Sequence, residues 1–396
     1  MASKKRPRFG LSRFDLVNGA DRIAMKQQGK RRKMKTYRAI RSSSPQSQFL
    51  VFESAYVHGA VERERCLSKR CNSNIHGGRY KRVAYLDTDV GQPEFTLPTL
   101  MCACILTSSL SIWLDLTIPC LKTPERCYFF GDISSKRDPT TYLNYVYALH
   151  DYYKEHFILN KNESPGRAAL PLIINTPGWV KGIGYDILVA MLKYIVPSHV
   201  VKINISAESK NLPPGAFWLD ENYVASANFF EINSARRDSF NRSVLMQKEA
   251  HLIRDLRLMA YFRQCFPNEM SITTIKELAY ALASHPPYQV PISSIEIKHL
   301  HCQVPGTEVL YSLNATIVGL AVNSGERESL PICMGLGIVR GIDTFKNLLY
   351  VITPVPQSTL STVDVLLHGF IQIPTSLLQC QGCRSPYMSA HVLPTS

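Results

Sequence analysis

The stretch Arg82-Val-Ala-Tyr-Leu-Asp-Thr-Asp89 constrains the fold more than any other part of the chain. Its apolar residues run consecutively rather than alternating with polar ones. A strand of this kind must be covered on both faces, which is the condition of a parallel sheet held between two layers. The run closes on two carboxylates one residue apart, and no Lys or Arg follows until Lys122. Acids at the carboxyl end of such a strand stand where open α/β sheets bind ligands. If the strand persisted, Asp87 and Asp89 would point to one face. Such acids hold magnesium directly or through water, and the metal offsets phosphate charge. A solvated strand end is the plain alternative for these letters taken alone.

Short β-type runs alternate with longer helical stretches from residue 48 to 286. The pattern predicts strands at 83–87, 172–175 and 199–205, with 48–52 as a further strand, and helices at 139–157, 184–195 and 240–266. This is an α/β domain with a parallel sheet and flanking helices. Residues 287–396 change character: β-type runs at 295–300, 309–320, 334–341, 348–352 and 365–373 with no strong helix predict a smaller, mainly β C-terminal domain. Segments 161–168 and 207–215 read as loops.

Charge is unevenly spread. Residues 1–41 hold fourteen Lys or Arg against two Asp, so most of the net +14 belongs to an expected disordered arm, residues 1–47. Such an arm favours nuclear import receptors or phosphate backbones. Eleven cysteines without a secretory signal are expected to be reduced thiols, and Cys380-Gln-Gly-Cys383 reads as an incidental pair rather than a zinc site. The uncharged stretch 95–114 holds seven Thr, Ser or Pro residues, which predicts buried core and not a membrane span.

Four further blocks carry chemistry. Asp89-Val-Gly-Gln92 continues the acidic strand end; Phe129-Phe-Gly-Asp132 opens a loop that continues through Lys136 and Arg137; Thr176-Pro-Gly-Trp179 closes the predicted second strand; Arg254-Asp-Leu-Arg257 lies on a charged helix. A tryptophan after a glycine at a strand end can leave the core and stack on a nucleobase, although most tryptophans are core or interface. Two arginines three apart share a helix face and can close over a γ-phosphate, or pair with Asp255 and Glu249.

In this order, together with Gly335-Leu-Gly-Ile-Val-Arg-Gly-Ile-Asp343, the blocks resemble the polynucleotide 5′-hydroxyl kinases, P-loop enzymes that phosphorylate nucleic-acid 5′ ends. The resemblance is nearest to the nucleolar branch that matures ribosomal RNA, and it implies a P-loop NTPase-type fold, ATP and Mg²⁺ as cofactors, and a nuclear, nucleolar setting. By the same resemblance Asp89 holds the metal with Gln92 and Asp87 nearby. Asp87 or Asp132 orients the acceptor hydroxyl, Arg254 and Arg257 meet the transferring phosphoryl group, and Trp179, Lys136 and Arg137 hold the RNA. The implied partners are 5′-OH ends of pre-ribosomal RNA and a processing endonuclease, and no membrane.

A kinase of this fold needs G-x-x-x-x-G-K-[ST] before the 83–87 strand. No such motif is present: the chain's one Gly-Lys pair, Gly29-Lys30, is followed by Arg31. A lost exon, an inactive kinase-like protein and an improvised phosphate loop all remain open. The rival function is therefore a catalytically silent RNA-binding or scaffold protein of the same processing machinery.

Overall fold

The computed structural model describes residues 49–53, 82–107, 121, 123–159, 170–205, 208–219, 227–233, 243–323 and 330–378. The basic arm, the 54–78 segment that replaces the expected phosphate loop, the 161–168 loop and the Cys380/Cys383 pair lie outside the described residues.

Seven strands form the first sheet: β1 (Phe49–Glu53), β2 (Arg82–Asp87), β3 (Leu100–Thr107), β4 (Arg126–Phe129), β5 (Leu172–Thr176), β6 (His199–Asn204) and β7 (Asn228–Asn233). Their order is β4-β3-β2-β5-β1-β6-β7. From β2 across to β7 every pairing is parallel, with β1 at the centre between β5 and β6. The expected parallel sheet is extended at one edge by β3, which runs antiparallel to both β2 and β4. The loop after β2 reverses the chain directly, so no crossover helix is needed there.

The helices are α1 (Pro139–Tyr153), α2 (Ile183–Ile195), α3 (Ser243–Arg263) and α4 (Ile275–Ser284). Asp138 caps α1 by accepting from the Thr141 amide at 3.0 Å, and Pro139 occupies the first turn, where its missing N–H costs nothing. Helix α4 is not among the expected helices. Its signal is the pairing of Thr274 with Glu277, a capping box in which each side chain satisfies the other's backbone N–H.

Residue alternation on β3 and β4 sorts side chains onto two cores. Met101, Ala103, Tyr128 and Phe130 pack with α1 and α2, while Leu100, Cys102, Cys104, Cys127 and Phe129 pack with α3, α4 and the second sheet. The period of two in strand geometry is enough to produce this division.

The second sheet comprises β8 (Tyr288–Pro291), β9 (Glu296–His299), β10 (Ile317–Val322), β11 (Ile332–Asp343), β12 (Leu348–Ile352) and β13 (Val365–His368), in the order β8-β12-β11-β10-β13-β9. All pairs are antiparallel except β13 with β9. The predicted β run 309–320 is split: residues Val309–Leu313 form a short helix, α5. The Ser312 and Thr316 hydroxyls donate to the Val309 and Leu313 carbonyls, and Ala315 turns through a positive φ of 57° before β10 begins. These local bonds compete successfully with strand pairing. The predicted 365–373 run ends at His368, where Gly369 follows.

Among the described residues no helix is long and apolar enough to cross a membrane. Residues 100–107 of the uncharged stretch are strand β3.

Candidate active site

Strands β2 and β5 end side by side. The Thr88 amide donates to the Asn175 carbonyl at 3.0 Å and its hydroxyl to the same oxygen at 2.6 Å. Asn175 Nδ2 in turn donates to Asp87 Oδ1 at 3.0 Å, and the Glu94 amide donates to Asp87 Oδ2. Asp87 is fully buried, and burial pushes its carboxyl up to about 7 against the opposing pull of these two bonds. One oxygen of Asp87 thus ties down the loop that follows β2, and the other joins that strand to the end of β5.

Asp89 stands beyond the strand's end, so the two acids do not share a strand face. It is half-buried, and its Oδ1 accepts from the Gly91 and Gln92 amides, both at 3.0 Å. The side chain closes a turn on its own backbone, a habit of aspartate in loops. Gln92 is half-buried on the same turn.

Helix α1 supplies a residue that the sequence does not single out. Tyr142, with no exposed surface, donates its hydroxyl to the Thr88 carbonyl at 2.7 Å, and its ring lies 5.9 Å from that of Trp179. Trp179 is half-buried after β5, with its indole laid against Gly184: a Cβ on that glycine would come within 2.5 Å of Trp179 Cβ. The ring is therefore braced on one side by α2 and on another by Tyr142. Asn175 and Tyr142 act through long-range contacts, so nothing local in the sequence marks them.

The Phe129-Phe-Gly-Asp132 segment forms the neighbouring loop. Gly91 faces the Ile133 carbonyl so closely that a Cβ there would meet it at 3.0 Å, which places this loop against the Asp89 turn. Asp132 is buried and accepts from the Ser134 amide at 3.0 Å and from Arg137 Nε at 2.6 Å. Lys136 is exposed.

Arg254 and Arg257 lie on α3, which enters the core through Leu258, Met259 and Phe262. Arg254 is half-buried. Arg257 is 8% exposed, and its Nε and one Nη find no hydrogen-bond partner among the described residues. Asp255 pairs with His251 at 3.2 Å. The structure therefore brings Asp87, Asp89, Gln92, Asp132 and Trp179 into one connected set, and leaves the two arginines on a separate helix.

Two family models match the chain: the P-loop domain of the mRNA cleavage and polyadenylation factor CLP1 over residues 71–264, and the NOL9-like C-terminal domain over residues 283–374. The polynucleotide 5′-hydroxyl-kinase NOL9 of Arabidopsis thaliana is 60% identical over 315 residues, covering 80% of this chain and 84% of that protein. The protein of the same name in Homo sapiens is 30% identical over 347 residues, where the match covers 76% of this chain and 46% of the human one. The chain thus spans less than half of the human relative. Among solved structures, the wild-type Clp1p–Pcf11p complex aligns with a TM-score of 0.54 at 14% identity, covering 82% of this chain and 74% of that one, a likeness of fold alone.

Proposed function

Because the chain belongs to the polynucleotide 5′-hydroxyl-kinase family, we propose that its substrate is the 5′-OH end of RNA, in ribosomal RNA maturation, and that the family's reaction is transfer of a nucleotide γ-phosphate to that end. The observation that carries this reading is the Asp89–Gln92 turn, fixed beside the ends of β2 and β5 and adjoining the Asp132 loop.

Asp89 fits a magnesium ion: it is an acid at the carboxyl edge of a parallel sheet, half-buried and held by its own turn. A bound metal would offset phosphate charge. The triphosphate itself fits less well. Strand β1 is the middle one of the five parallel strands, after which a phosphate loop should follow, and residues 54–78 contain no G-x-x-x-x-G-K-[ST]. No catalytic step is therefore assigned to the nucleotide in this chain.

The remaining residues take supporting roles in this reading. Asp87, bonded to the loop after β2 and to the end of β5, and Asp132, bonded within its own loop, anchor these loops and so position the site. Trp179, braced but half-exposed, offers a face to a base. Arg254 and Arg257 supply positive charge from α3 for the transferring phosphoryl group. The 1–47 arm adds salt-sensitive, sequence-blind RNA affinity and directs the protein to the nucleus and nucleolus, where an endonuclease would create the 5′-OH ends.

The missing phosphate loop favours a second reading, a catalytically silent RNA-binding member of the processing machinery. Losing one oriented donor commonly costs about 10²–10³ in rate, and here several are gone. The chain is expected to bind ATP·Mg²⁺ weakly and to transfer little label from γ-labelled ATP to a 5′-OH oligoribonucleotide. Micromolar ATP affinity by calorimetry together with brisk transfer would overturn the silent reading. RNA binding without transfer would support it.

A further inference from the structure

Arg137, read from the sequence as one of the residues that hold the RNA, is held in a way that suits a specific task. Its guanidinium lies 4.1 Å over the ring of Phe370, which follows β13 in the second sheet. Its Nε donates to Asp132 Oδ2 at 2.6 Å, so the plane is fixed on one face and along one edge. Phe370 is itself anchored: its amide donates to the Gly131 carbonyl at 2.6 Å, and the His301 imidazole neighbours its ring, with centroids 6.3 Å apart and planes within 18° of parallel. His301 is seated by its two ring nitrogens, one 2.6 Å from the Phe130 carbonyl and the other 3.3 Å from Asp138 Oδ2. Arg137 keeps 52% of its side-chain surface exposed, while Asp132 keeps 7%.

Asp132 neutralises the guanidinium, which weakens its pull on an anion, and a rigid delocalised plane with one covered face is a stacking surface. We infer that the outer face of Arg137, backed by Phe370, is a stacking platform for a nucleobase of the RNA near its 5′ end. The position follows from the contact of the same loop with the Asp89 turn, through the Ile133 carbonyl and Gly91. This rests on the reading that the chain binds 5′-OH polynucleotides.

The test uses the full chain and two 5′-OH oligoribonucleotides, one with 2-aminopurine and one with an abasic residue at a given position, walked over the first few nucleotides. At one position the wild type is expected to quench 2-aminopurine and to bind the base-bearing strand about tenfold tighter than the abasic one. Arg137→Lys keeps the charge and loses the plane, so it should erase that ratio and the quench. Phe370→Tyr should behave as wild type and Phe370→Ala should lose most of the ratio. If Arg137→Lys preserves the ratio, or weakens both strands equally, Arg137 is a backbone or structural contact and the platform is wrong. A wild type that binds both strands equally overturns the platform alone; one that binds neither overturns the polynucleotide reading with it.

Discussion

Asp87 and Asp89 stand two residues apart in different environments, and that difference decides what a substitution at each should do. Asp89→Asn is nearly isosteric and keeps the acceptor oxygen for the Gly91 and Gln92 amides, removing only charge. In a protein whose 54–78 segment is replaced by one bearing G-x-x-x-x-G-K-S, Asp89→Asn should abolish phosphate transfer to a 5′-OH oligonucleotide with the melting temperature unchanged. Undiminished transfer would mean that Asp89 is no metal ligand. Asp87 is read through pH. Its folded pKa is raised by burial to about 7 from an ordinary aspartate value of 3.8, so its stabilising contribution is fully present below about 4 and is lost as pH rises through 7. Asp87→Asn lacks that slope. The stability of wild type relative to Asp87→Asn should therefore fall by roughly a few kcal/mol between pH 4 and 7, since each tenfold change in proton affinity is worth about 1.4 kcal/mol. His150 and His368, both pushed down to about 4 chiefly by burial, titrate in both proteins and cancel in the difference. Urea midpoints across that range measure it, and a pH-independent gap would show that the carboxylate is not desolvated.

At the scale of elements, legibility follows locality. Strands β2, β5 and β6 are readable because a consecutive apolar run flanked by turn residues is sufficient in itself, and α1 because its Asp138 cap and apolar face lie within the segment, α2 because of its apolar face alone. Helix α5 and the antiparallel β3 are not, since hydroxyl-to-carbonyl bonds and a direct chain reversal override residue preference. The acidic turn is legible as chemistry, whereas Asn175, Tyr142 and Phe370 join the site only by contacts across the fold. The seat of Trp179 on α2 gives a test of this packing. Gly184→Ala should gain up to about 1 kcal/mol from helix propensity. The Cβ clash at 2.5 Å costs about 1–3 kcal/mol when a packed neighbour must move, so the clash is expected to win. The melting temperature should drop by a few degrees and oligonucleotide affinity should weaken with it, as Trp179 shifts. An unchanged or raised melting temperature would show that the indole is free to swing away.

For the molecule as a whole, the uneven charge makes its own prediction. Deleting residues 1–41 removes fourteen cationic side chains. The slope of log affinity for RNA against log salt should flatten and a reporter fusion should lose nuclear accumulation, because counterion release scales with phosphates neutralised. An unchanged slope with continued nuclear entry would place the affinity and the import signal elsewhere. The two sheets carry a consequence of another kind. Leu100, Cys102, Cys127 and Phe129 of the first sheet share one apolar core with Ile317, Ile338, Ile352 and Val365 of the second. Chimaeras that join this chain to a relative at the start of the second sheet would break that core along its middle, leaving two surfaces that were never selected to match. Recombination between members of the family should therefore succeed best where both sides of the seam are inherited together.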